Sequence, residues 1–63
     1  MRAYRCYLMD RAGTIAATEL MECGCDGDAQ QAALRIFRNS RQHYAVEVWD
    51  QVTQVYRQTR DAA

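Results

Sequence analysis

His43-Tyr44-Ala45-Val46-Glu47-Val48-Trp49 alternates along its length, with Tyr44, Val46 and Val48 on one side and His43, Ala45, Glu47 and Trp49 on the other. A strand turns successive side chains to opposite faces, so this spacing predicts a strand with two distinct sides. Asp50-Gln51-Val52-Thr53 follows, and a returning strand over residues 53–58 completes a hairpin. Asp50 suits the first position of a turn. With no glycine after it, the expectation is a four-residue type I turn, not a two-residue primed one.

A second hairpin opens the chain. Tyr4, Cys6 and Leu8 alternate with Arg5, Tyr7 and Met9, and Asp10-Arg11-Ala12-Gly13 then offers an aspartate to start a turn and a glycine to accept positive φ. In the second strand, over residues 14–22, Ile15, Ala17 and Met21 share a face that Glu19 interrupts, with Leu20 opposite. That irregularity predicts a bulge or an exposed strand end. Between the hairpins, Cys23-Gly24-Cys25-Asp26-Gly27-Asp28 leads into a helix, with Asp26 or Asp28 as N-cap and Gln31 in capping-box position. Ala29, Ala32, Ala33, Ile36 and Phe37 form its apolar stripe, widened by Leu34, while Gln30, Gln31, Arg35, Arg38 and Asn39 lie on the far side. The order is ββαββ, an α+β fold: an antiparallel four-stranded sheet from two hairpins, with one helix on one face, as a single domain over residues 1–63. Cys6, Leu8, Ile15, Val46, Val48 and Val55 are expected to pack under Ile36 and Phe37.

The eight basic residues are all arginine and are balanced by eight acids, for a formal net charge of +0. No global field draws in nucleic acid or an anionic membrane. No apolar run approaches the roughly 18 to 20 residues of a membrane span, and Arg2, Arg5 and Asp10 stand where a signal peptide has its apolar segment. The expectation is a bacterial, cytoplasmic protein; the Arg-for-Lys and Ala-rich usage fits a GC-rich genome. Three cysteines, an odd number, point to reduced thiols and not to a disulfide framework. Thr59 to Ala63 lack pattern and are expected to fray.

A helix of about 12 residues covers only one face of a four-stranded sheet. Tyr7, Trp49 and Tyr56 are therefore read as an interaction surface on the other face, covered by a second copy or by another protein partner. Arg35, Arg38 and Arg41, spaced by three, offer an alternative phosphate or nucleic-acid stripe, with Tyr4 or Tyr44 to stack on bases. The simpler account is an exposed helix face whose charges complement the helix C-terminus. Cys6, Cys23, Cys25 and His43 are zinc-type ligands. If Met9 pairs with Thr14, however, Cys6 lies opposite Ala17, roughly 20 Å from Cys23 at about 3.3 Å per residue, and no metal site is expected. Cys25 precedes a helix N-terminus, which favours a thiolate, but Asp26 and Asp28 oppose it. No phosphate-cradling glycine loop, catalytic triad or carboxylate pair is visible, so neither a catalytic residue nor a cofactor is assigned. The function these features predict is a non-enzymatic protein-interaction or regulatory accessory module that homodimerises.

Tyr4-Arg5-Cys6-Tyr7, the Asp10…Gly13-Thr14-Ile15-Ala16 turn, Glu22-Cys23 before an Asp-rich helix start, and His43 to Asp50 together resemble a family of very short proteins of unknown function from GC-rich proteobacteria. The resemblance covers most of the chain and implies a single ββαββ module, with no activity, cofactor or catalytic residue to carry over. Gln51 stands where that pattern has glycine after Trp49-Asp50. In element order and in Gly24-Cys25 the chain is also similar to antitoxins of the HicB type, which implies a partial RNase H-like fold and an antitoxin or nucleic-acid regulator role.

Overall fold

Asp10 closes the first hairpin in the computed structural model, which describes residues 2–40 and 42–60. Its carboxylate accepts the N–H groups of Ala12 and Thr14, both at 3.0 Å, and Gly13 takes φ +86°. This turn joins β1 (Arg2–Met9) to β2 (Ile15–Cys23). Helix α1 (Asp26–Asn39) follows, then β3 (Ala45–Asp50) and β4 (Thr53–Thr59). The strands form one sheet in the order β2-β1-β3-β4, every neighbouring pair antiparallel. The ββαββ arrangement is thus observed. Because β2 and β3 each run antiparallel to β1, they run parallel to one another. Two parallel strands need a long crossover, and the 14-residue helix, about 21 Å long, supplies it.

The helix packs on one face. Tyr4, Cys6 and Leu8 from β1, Val46 and Val48 from β3, Met21 from β2, and Ala29, Ala33 and Phe37 from α1 make the core. Ala29 and Ala33 are wholly buried, and their small side chains let the helix backbone approach the sheet. Tyr4, offered beside Tyr44 as a stacking residue in the alternative nucleic-acid reading, is fully buried; its hydroxyl donates to Asp26 Oδ1 at 2.6 Å. That contact draws Asp26 toward the sheet. Cys25 occupies the N-cap position instead of Asp26 or Asp28, and its side chain makes no capping bond. His43 is also buried, in the loop before β3 and not at a strand start.

Two register shifts depart from simple alternation. Met9 pairs with Ile15 and Leu8 with Ala17, so Cys6 lies opposite Glu19, not Ala17. The shift turns Ile15 out of the expected core to the far face, where it is 50% exposed. In the second hairpin Asp50 pairs directly with Thr53, which leaves a two-residue loop, and Gln51 takes φ +57°. The expected four-residue turn is replaced by a tighter one. The ladder then skips Val55: Trp49 pairs with Gln54 and Val48 with Tyr56.

The C-terminal end of β4 is anchored, contrary to the expected fraying from Thr59. Thr59 pairs with Ala45, and Arg60 N–H donates to Tyr44 O at 2.6 Å. The Arg60 guanidinium donates to the carbonyls of Phe37 at 2.8 Å, His43 at 3.1 Å and Ser40 at 3.3 Å, and lies 4.4 Å from the centre of the Phe37 ring. Residues 61–63 of that expectation lie outside the described residues.

Candidate interaction face

The sheet face away from the helix has three cross-strand rows fixed by the pairing register. One runs Leu20, Arg5, Trp49, Gln54; the next Thr18, Tyr7, Glu47, Arg57; the third Ile15, Met9, Ala45, Thr59. Tyr7 and Trp49, expected to share this face, do so from the two inner strands, both half-buried. Tyr56 does not join them. Uninterrupted pairing from the Asp50–Thr53 turn would set Tyr56 beside Glu47 on the open face. The extra residue at Val55 moves Tyr56 opposite Val48, where it packs against the core, and its hydroxyl bonds Gln58 Oε1 along the same edge strand.

The same bulge places Arg57 beside Glu47. Arg57 Nε donates to Glu47 Oε2 at 3.1 Å, and Trp49 Nε1 donates to Glu47 Oε1 at 3.0 Å. Glu47 is thus held by both neighbours at the middle of the face, its side chain only 16% exposed. The alternation set Glu47 and Trp49 on one side of the strand but left their bond unassigned. The clue was present: residues two apart on a strand share a face. Leu20, which the sequence set opposite the apolar row of β2, stands 75% exposed at the edge of the open face.

Charge on this face cancels. Arg5 and Arg57 are matched by Glu22, paired with Ala3, and Glu47. Arg5 is exposed and makes no ion pair among the described residues. At one end, Arg5, Leu20 and the turn residue Val52, which is 89% exposed, line a shallow groove.

The arginine stripe of the alternative lies on the other side of the molecule. Arg35 and Arg38 are exposed on α1, Arg38 in its last turn, and Arg41 lies outside the described residues. The helix C-terminus takes a cationic contact from Arg60, which the sequence reading left among the fraying residues. Among the described residues no group of three His, Cys, Asp or Glu side chains is placed to hold a metal ion. Cys6 lies four positions from the Arg2–Cys23 pair, about 13 Å along the sheet, shorter than expected but still beyond a shared ligand. Burial first, and then the Glu19 carboxylate, push the Cys6 thiol pKa up to about 11. Cys25 is exposed and Cys23 half-buried.

Comparison with protein-family models, with curated proteins and with solved structures finds no match for the chain. The functional reading therefore rests on the face itself.

Proposed function

We propose that this chain is a small non-enzymatic interaction or regulatory module that works as a homodimer through the open face of its sheet. The observation that carries the reading is the grouping of Trp49, Tyr7, Met9, Ile15 and Leu20 on a face that the described residues leave uncovered. Contiguous apolar surface of this kind on a water-facing domain marks a contact surface. Charges of both signs on it, in equal number, favour a protein surface over a polyanion, whose binding requires an excess of positive charge. Four strands about 4.8 Å apart, over about 20 Å of strand length, give a footprint of about 400 Å² per chain, which belongs to weak, exchanging association. The three unpaired thiols fit a reducing compartment, the cytoplasm.

Sedimentation velocity from low to high micromolar concentration tests the reading. The expected result is a concentration-dependent shift from the 7.3 kDa monomer toward twice that mass, abolished by Trp49→Glu with the fold retained by circular dichroism. A strict monomer throughout overturns it. Salt-sensitive binding of a nucleic acid lost in Arg35→Ala/Arg38→Ala would favour the helix stripe instead.

A further inference from the structure

The three rows of the open face also carry information about how a second copy sits on it. We infer that two copies pack face to face about a two-fold axis that runs parallel to the strands, between β1 and β3; the inference rests on the homodimer reading above. Such an axis keeps each row at its own height and exchanges inner strand for inner strand and edge for edge. Arg5 then meets Trp49 of the other copy, Tyr7 meets Glu47, Met9 meets Ala45, and Thr18 meets Arg57.

Two of these meetings, Arg5 with Trp49 and Tyr7 with Glu47, are chemically matched, while at the edges Leu20 meets Gln54 and Ile15 meets Thr59. The Arg5 guanidinium, without an ion-pair partner in its own chain among the described residues, finds an aromatic face. The Trp49 indole is already oriented by its bond to Glu47, so it offers a ring of fixed attitude. The Tyr7 hydroxyl donates to a carboxylate that is largely shielded from water. The other in-plane two-fold, perpendicular to the strands and centred on the Tyr7 row, sets Glu47 against Glu47 and Arg57 against Arg57, an arrangement that like charges disfavour. Packed sheets cross at about 30° because each is twisted, which displaces the edge strands most. The contacts from β1 and β3 therefore carry the association.

The geometry makes a prediction that no other docking on this face makes. Arg5→Glu sets a carboxylate against the indole, and Trp49→Lys sets an ammonium against Arg5, so each variant alone is monomeric at concentrations where the native chain dimerises. A symmetric dimer loses the contact twice, which lowers the association constant about tenfold or more. Mixed one to one, the two variants regain a dimer: Glu at position 5 of one copy meets Lys at position 49 of the other, and the remaining Arg5–Trp49 contact is native. Sedimentation of each variant and of the mixture, with folding checked by circular dichroism, is the experiment; if Arg5→Glu fails to fold, Arg5→Ala replaces it for the single-variant arm. Recovery in the mixture supports the axis. A native dimer whose affinity Arg5→Glu leaves unchanged, or a mixture that stays monomeric, overturns this geometry and leaves self-association standing. A native chain that never dimerises overturns both. Quenching of Trp49 fluorescence by a single-stranded oligonucleotide, with the chain monomeric, also overturns it, in favour of a base-stacking platform.

Discussion

Replacing Arg60 tests whether a residue one position past the last strand closes the helix end. In the native chain its guanidinium bonds the carbonyls of Phe37, Ser40 and His43 and stacks on the Phe37 ring. The Phe37 and Ser40 carbonyls keep other partners, the N–H groups of Ser40 and His43, so Arg60→Ala does not orphan them. What is lost is the charge-assisted part of the bonding, about 1.5 kcal/mol at a half-buried site, plus about 1 kcal/mol of ring stacking and helix-end electrostatics. The sum, about 2.5 kcal/mol, is a large share of the roughly 3–9 kcal/mol that a chain of 63 residues has in all. It corresponds to a drop in melting temperature of roughly 10–20 °C. Arg60→Lys keeps the charge but not the planar fork, and is expected to recover less than half of the loss, about 1 kcal/mol. Urea denaturation of the three proteins, fitted with a common m-value, measures both effects. A loss below about 0.5 kcal/mol for Arg60→Ala, or full recovery with Lys, would refute the argument that the fork holds α1, β3 and β4 together.

Phe37→Ala removes the largest helix side chain from the core and leaves a cavity that one helix on one sheet does not close, so a loss of about 3 kcal/mol or more is expected in thermal or urea melts; under about 1 kcal/mol would mean the stripe is not the buried face. Gln51→Gly relieves a positive φ that costs a side chain about 1 kcal/mol or more, partly offset by the greater freedom of an unfolded glycine, so a net gain of about 0.5 kcal/mol in the urea midpoint is expected, and a loss would refute the strain. The folded Cys6 thiol keeps its proton up to about pH 11 while the unfolded thiol ionises from 9.0, so the unfolded chain binds fewer protons in that window and stability falls as pH rises through it. The Tyr4 hydroxyl, raised by donating to Asp26 and by burial, acts in the same direction. Urea midpoints across this window should slope less in Cys6→Ala, and an unchanged slope would assign the effect elsewhere. Alkylation at neutral pH should label Cys25 in the native state and Cys6 only after unfolding. With Cys6 about 13 Å from Cys23, a chelator should leave the melting temperature unchanged, and a drop would reveal a metal site shared between copies.

Local pattern carried the reading of the elements. Period-two alternation around Val46 and Val48, the alanine-rich stripe ending at Phe37, and the Asp10…Gly13 turn are each decided by residues close in sequence, so the sequence alone determined two hairpins flanking one helix, and a face bearing Tyr7 and Trp49. Strand order, register and the helix cap depend on contacts between residues far apart, which no local window contains. Asp26 reads as a cap until the Tyr4 hydroxyl, 22 residues earlier, reaches it. One extra residue near Ile15 and one at Val55 leave the composition of each strand untouched, yet each reverses which side chains face the helix. In a period-two structure a shift of one residue exchanges the faces, so only the tertiary pairing decided that Ile15 lies on the open face, that Tyr56 leaves it, and that Arg57 meets Glu47. Arg60 was hidden for the same reason: its place is set by three carbonyls at the far end of the helix and its loop, and nothing beside it in the sequence marks them.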